Sequence, residues 1–259
     1  MIVFSFSSSA LVDQPFDWAY QLEDLGYSGW EIVNEGKQRL TAETMPLARE
    51  IVETTSLVIT IHLPYSDLNL ASMNQPIWEE TIRQMKECIS LASDFARLAV
   101  VHPGYLSPLG KQMPDRAWEQ NIFGLQEICD HAADHNMTIA VENMLNIESM
   151  LGRTPEEILG MLENVRRENL GFVFDVGHAN TNGNVDSFLA LKDEMVHVHV
   201  HDNKGVRDEH LPVKSGNVNW SRVANALNGY EGRLVTEART LVQGVQSMRN
   251  LKTFLDHLE

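Results

Sequence analysis

Basic residues are scarce in this chain of 259 residues: Lys and Arg number 20 against 36 Asp and Glu, a formal net charge of -16 with histidine neutral. Such a surface repels DNA and RNA at long range, which argues against a nucleic-acid partner unless a basic patch or bound metal offsets the field locally. Cysteine is nearly absent. Cys88 and Cys129 sit in helix-like stretches among apolar neighbours, and two cysteines make neither a disulfide scaffold nor a zinc-finger set, so a reducing compartment is expected. No apolar run reaches the roughly 18 residues of a membrane span. The opening MIVFSFSSSALVDQPFDW also lacks the basic stretch that begins a secretion signal. These absences lead us to expect a soluble, cytoplasmic protein. There is no Pro/Gly/Ser-rich linker and no low-complexity block, so a single domain over 1–259 is expected. No G-x-G-x-x-G follows the first strand, which removes the main signal for a dinucleotide-binding sheet.

What is present is alternation. Short β-branched or aromatic runs predict strands near 3–7, 30–33, 58–62, 98–102, 138–142, 171–175, 196–201 and 234–237. Apolar residues at helical spacing predict helices between them, for example over 78–93 and 117–135, with a shorter one over 219–227 and a last over 242–257. Asp115 is expected to cap the helix that follows it. Thr154-Pro155-Glu156-Glu157 opens another, with Thr154 as cap, Pro155 in the first turn and Glu157 three residues past the cap. Alternation of this kind means parallel strands joined by crossover helices, and eight such units in 259 residues favour an α/β fold of the closed (β/α)8 barrel type.

Polar residues fall at matching places along these units. The runs VITIH, LAVVH, TIAVE, GFVFD, MVHVH and RLVTE end on His62, His102, Glu142, Asp175, His199 and Glu237. In a barrel the carboxyl ends of all strands converge on one mouth, so donors far apart in sequence meet there. One such histidine alone reads as a structural hydrogen bond; a whole set at matching strand ends would be costly to bury unless metal or hydrogen-bonding partners satisfied it. Three more candidates lie in loops: His178 in FDVGHAN, and Asp208 and His210 in KGVRDEHLPVKSG. Imidazoles and carboxylates suit zinc or manganese, and this many donors exceed the needs of one ion, so one to three divalent ions are expected. His197 and His201 share the face of His199, and periodicity does not choose among substrate binding, a hydrogen bond behind a ligand, and packing inside the barrel. Glu31 either lines the mouth or pairs with a neighbouring cation.

The segments IHLPYSDLNLAS, VVHPG, AVEN, FDVGHA, HVHDN and DEHLPVKSG, with the strand end at Glu237, resemble the xylose-isomerase-like TIM-barrel superfamily. That superfamily holds sugar and sugar-phosphate isomerases and epimerases, and the type-two apurinic/apyrimidinic endonucleases such as endonuclease IV. The resemblance covers nearly the whole chain. Its endonuclease branch implies a three-zinc site of His62, His102, Glu142, Asp175, His178, His199, Asp208, His210 and Glu237, with Glu142 and Glu237 shared or central and the third ion on His178, Asp208 and His210. Its isomerase and epimerase branch implies one divalent ion, manganese, magnesium, cobalt or zinc, on Glu142, Asp175, His199 and Glu237, with His178 on substrate oxygens. The glycine-glutamate-glycine that follows the loop ligands in the endonucleases is replaced by Lys214-Ser215-Gly216-Asn217. That departure and the acidic charge favour a small-molecule substrate.

Two chemistries therefore compete. In the first, a sugar or sugar phosphate is isomerised or epimerised: the ion polarises a carbonyl, and Glu142 and Glu237 remove and return a carbon-bound proton through an enediolate. His178 orients a hydroxyl. Arg239 or Lys204 contacts a phosphate or terminal hydroxyl, or makes an ordinary surface salt bridge; Trp220, Trp30 and Tyr65 offer apolar surface to the sugar, while Trp118 packs in its helix. In the second, clustered zinc ions hydrolyse a phosphoester. A third class, a metal-binding barrel without catalysis, stays open. Monomer and dimer are equally compatible with the apolar pattern of the outer helices.

Overall fold

The computed structural model describes residues 3–256. Eight strands form: β1 (Val3–Ser7), β2 (Gly29–Val33), β3 (Val58–His62), β4 (Ala96–Val101), β5 (Thr138–Glu142), β6 (Leu170–Asp175), β7 (Met195–Val200) and β8 (Arg233–Glu237). Each pairs in parallel with the next, and β8 returns to β1 through the register Val3↔Arg233 to Ser7↔Glu237, which closes the barrel. This is the (β/α)8 TIM barrel expected from the alternation, with strand limits shifted by one or two residues.

The strands alternate faces with a period of two. One face carries residues such as Phe6, Trp30, Ile61, Val141, Phe174 and Val200, which join a continuous core with the surrounding helices. The other face points into the barrel, where Val100, Ala140 and Val173 make a small separate apolar cluster. Around them the lumen is polar.

The helices are α1 (Met45–Thr54), α2 (Gln75–Ala92), α3 (Pro114–Ala133), α4 (Pro155–Val165), α5 (Val176–Asn182), α6 (Val185–Leu189), α7 (Trp220–Ala226) and α8 (Leu241–Leu255). Each long helix buries one stripe; on α2 it runs through Trp78, Ile82, Met85, Ile89 and Ala92. Thr154 caps α4 as expected, accepting from the Glu157 amide at 3.3 Å. Asp115 does not cap α3: Pro114 already occupies its first position, where a missing N–H costs nothing, and this leaves Asp115 inside the first turn. The last helix starts one residue earlier than expected, and His257 lies outside the described residues. Only short 3-10 turns, Ser9–Leu11 and Phe16–Gln21, connect β1 to β2.

Cys88 and Cys129 are free and buried. Burial pushes both thiols up, Cys129 to about 12, so neither is a reactive thiolate. Among the described residues, no helix is long and apolar enough to cross a membrane.

Candidate metal centre at the barrel mouth

His62, Glu142, Asp175 and Glu237 are the last residues of β3, β5, β6 and β8, while His102 lies one residue past β4 and His199 lies within β7. Parallel pairing in register brings these ends to a common height. The loop after β7 folds back over the mouth through a two-way backbone bridge between Asp202 and Leu211, 2.8 Å in each direction, and this carries Asp208 and His210 to the rim.

Glu142 is the hub. Its Oε2 lies 3.4 Å from His62 Nε2 and 3.2 Å from His102 Nε2, and its Oε1 lies 3.2 Å from His199 Nδ1 and 3.4 Å from His178 Nδ1. His199 Nδ1 also faces Asp175 Oδ2 at 3.8 Å and Glu237 Oε1 at 3.5 Å. At the rim, Asp208 Oδ2 meets His210 Nε2 at 2.9 Å and His178 Nε2 at 3.6 Å. All the donors expected from the sequence are therefore brought together. Seven of them, His62, His102, Glu142, His178, Asp208, His210 and Glu237, line with Tyr65, Met144 and Met150 a cavity of about 260 Å³, and Asp175 and His199 are fully buried behind that lining. Glu142 is 1% exposed, whereas His102, Asp208, His210 and Glu237 are 21%, 19%, 20% and 12% exposed, so the site is open on one side.

Donor geometry fits a cation. Ligand atoms within 4.8 Å of one another come from His62, His102 and Glu142; from Glu142, Asp175 and His199; and from His201, Asp208 and His210. Donors about 2.1 Å from a zinc or manganese ion lie about 3–3.5 Å apart, close to the separations above. Glu142 Oε2, Asp175 Oδ2 and Asp208 Oδ1 are buried without a hydrogen-bond partner, an arrangement that costs free energy unless a positive charge satisfies it.

Electrostatics point the same way. Burial alone would push the Glu142 carboxyl up; the field of His199 and contacts with His102, His178 and His199 hold it well below the usual carboxylate range. Burial likewise opposes charge on Asp175, but His178 and His201 hold it low. Burial depresses His178 and His199, yet Asp175 and Asp208 around the first, and Glu31, Glu237 and Glu142 around the second, lift both well above the ordinary imidazole value. His102 remains lowered by its burial. The pocket as a whole stabilises positive charge, which a divalent cation supplies as protons leave the imidazoles.

The structure answers what periodicity left open. His197 and Glu31 pair inside the lumen, Nε2 to Oε2 at 2.8 Å, and Thr60 donates to the same oxygen at 2.9 Å. Glu31 Oε1 reaches His199 Nε2 at 3.0 Å, so Glu31 backs His199 on the side away from the mouth. A glutamate inside the apolar strand GWEIV and the spacing of His197 and His199 were the signals. Neither names the partner across the barrel.

Other expectations are corrected. Trp30 faces outward, fully buried and edge-on to Phe16 and Trp18 at 5.3 and 5.6 Å. Trp220 is buried and donates to Asp202 Oδ2 at 2.8 Å, which braces the loop rather than offering surface to a ligand. Lys204 is exposed outside the cavity lining, whereas Arg239, which donates to the Glu209 carbonyl at 3.3 Å, borders a recess shared with Ser9 and His210 of the mouth. Tyr65 does stand at the mouth, its ring 5.1 Å from that of His62 and 4.7 Å from that of His102.

A xylose isomerase-like TIM-barrel profile matches residues 19–255, and the chain belongs to that family. Within it, the uncharacterised protein MJ1311 of Methanocaldococcus jannaschii is 34% identical over 261 residues, covering 97% of this chain and 89% of that protein. The crystal structure of a D-tagatose 3-epimerase-like protein superposes with a TM-score of 0.93 at 34% identity, over 99% of this chain and 98% of that one. Fructoselysine 3-epimerase of Escherichia coli O157:H7 is 24% identical over 245 residues, 88% of this chain and 86% of that protein. A shorter match reaches probable endonuclease 4 of Bacillus licheniformis, 29% identical over 180 residues, 62% of this chain and 59% of that protein.

Proposed function

We propose that the protein is a cytoplasmic, divalent-metal-dependent epimerase or isomerase of a sugar or sugar phosphate. The observation that carries this reading is the placement of two carboxylates from strands three apart in the barrel on one imidazole: Glu142 Oε1 of β5 and Glu237 Oε1 of β8 stand 3.2 and 3.5 Å from His199 Nδ1, beside a cavity of about 260 Å³. The similarity to a D-tagatose 3-epimerase-like protein and to fructoselysine 3-epimerase supports it.

An ion held by Glu142, Asp175, His199 and Glu237, zinc or manganese on the donor chemistry, would polarise the substrate carbonyl and so acidify the neighbouring C–H. Glu142 and Glu237 reach that carbon from opposite sides. One removes its proton to give an enediolate, and the other delivers a proton to the opposite face, which inverts the centre. His178 is held by its Nδ1–H, which donates to the Asn143 carbonyl at 2.9 Å, so its Nε2 faces the cavity to orient a hydroxyl.

Turnover of a panel of ketoses and ketose phosphates in deuterated water tests this. The expected result is deuterium at the inverted carbon, with activity that disappears on chelation and returns with added metal; activity that persists in fully metal-depleted protein would overturn it. One observation favours a second reading, multinuclear zinc hydrolysis of a phosphoester: His62, His102, Asp208 and His210 are more donors than a single-ion epimerase requires. Efficient cleavage of abasic duplex DNA, lost in Glu142→Gln, would replace the first reading with the second.

A further inference from the structure

We propose that His201 is a metal ligand, holding with Asp208 and His210 a second cation that ties the loop after β7 to the barrel mouth. This rests on the reading of the mouth as a divalent-metal site. It departs from the pattern implied by the resemblance, in which His178 accompanies Asp208 and His210.

His201 is fully buried, and neither of its ring nitrogens has a hydrogen-bond partner. Its Nε2 points at carboxylates, 3.1 Å from Asp175 Oδ1 and 3.5 Å from Asp208 Oδ1. Asp208 Oδ1 is itself buried and unpartnered. The His201 and His210 rings lie parallel, with centroids 4.1 Å apart and planes 10° apart, and the ligand atoms of His201, Asp208 and His210 sit within 4.8 Å of one another.

An ordinary ion pair with Asp175 is the simpler account of a buried imidazole, and its geometry counts against it: the approach of His201 Nε2 to Asp175 Oδ1 fails as a hydrogen bond despite the short distance of 3.1 Å. A nitrogen lone pair and an oxygen about 3–3.5 Å apart and out of line for a shared proton is the arrangement that two ligands of one ion adopt.

The neighbouring helix leaves room for this ring. A Cβ on Gly177 would stand 1.9 Å from His201 Cε1, so a side chain at position 177 would expel the imidazole. His178 is fastened through Nδ1 to the Asn143 carbonyl and keeps its Nε2 3.6 Å from Asp208 Oδ2, so it is the rival for the third position on this ion and is included in the test. The cation would join the end of β7 to Asp208 and His210. It would add to the fastenings that loop already has, among them the Asp202–Leu211 bridge and Asp202 Oδ1, which accepts from the Asn203 and Val218 amides at 2.9 and 3.2 Å.

The test uses the full chain, stripped with chelator and titrated with zinc alone, in wild type, His201→Asn, Gly177→Ala and His178→Asn. Bound zinc is counted by elemental analysis, affinity is read by competition with a chromophoric chelator, and proteolysis of residues 203–217 is followed with and without zinc. Circular dichroism of each stripped protein checks its fold. We expect wild type to bind one more equivalent than His201→Asn or Gly177→Ala, and zinc to protect the loop in wild type but in neither variant. Gly177→Ala keeps the imidazole and displaces only its ring, so it decides the matter if His201→Asn does not fold. Unchanged zinc number and affinity in the folded variants would overturn the assignment and leave the mouth site standing, as would loss of that equivalent in His178→Asn alone. A wild-type chain that binds no zinc would overturn both.

Discussion

Phe6, Trp30, Ile61, Val141, Phe174 and Val200 point outward from the same strands that send Ser7, Glu31, His62, Glu142, Asp175 and His199 inward. Both sets are buried. The outward set meets helices and, apart from the Trp30 indole nitrogen, carries no polar side-chain atom to satisfy, whereas the inward set leaves several buried oxygens and nitrogens without partners, Glu142 Oε2 and Asp175 Oδ2 among them. The first arrangement stabilises the chain by removing apolar area from water. The second opposes folding unless a charge or a hydrogen bond compensates it. The contrast teaches where stability and chemistry reside: one residue step along a strand separates a side chain whose loss should unfold the protein from one whose loss should leave it folded and inactive.

The sharpest test of that division is Glu142→Gln, which keeps volume but removes the charge at the hub. Turnover should fall by about 100- to 10,000-fold while the denaturation midpoint holds or rises; a collapse of the fold with it would show that the inward face is structural. Trp30→Ala should do the reverse, lowering unfolding free energy by about 3–5 kcal/mol in denaturant titrations while the folded fraction keeps its metal affinity. Loss of metal without loss of stability would break the comparison. Glu31→Gln tests the lumen below the mouth: zinc affinity should drop by about 10- to 100-fold, because His199 loses the carboxylate behind it. An unchanged affinity would reduce Glu31 to a partner of His197. At the small end, Lys111 is exposed and away from both faces, so Lys111→Ala should change stability by less than about 0.5 kcal/mol and leave turnover alone; a large catalytic loss would reveal an anion contact.

The barrel was legible because eight β-branched runs alternate with helical spacing, and the mouth because His62, Glu142, Asp175 and Glu237 end their strands on the page as they do in space. Short α5 and α6 lack enough turns to show a periodic stripe, and neither was singled out. Partners across the lumen were illegible for a different reason. Glu31 meets His197 only because closure of the barrel through β1 and β8 turns β2 and β7 toward one lumen, a relation that no local pattern encodes. The assignment of Trp30 to the sugar was avoidable. Neighbours on a strand point to opposite faces, so Glu31 inside the barrel requires Trp30 outside it.

Asp175 has one oxygen fastened to the amide that begins α5 and the other left over. Its carboxylate cannot spin about the Cβ–Cγ bond without uncapping that helix. The spare oxygen therefore keeps one bearing before any ligand arrives, and a rotor that would otherwise have to be stilled at the moment of capture is already stopped when the chain folds.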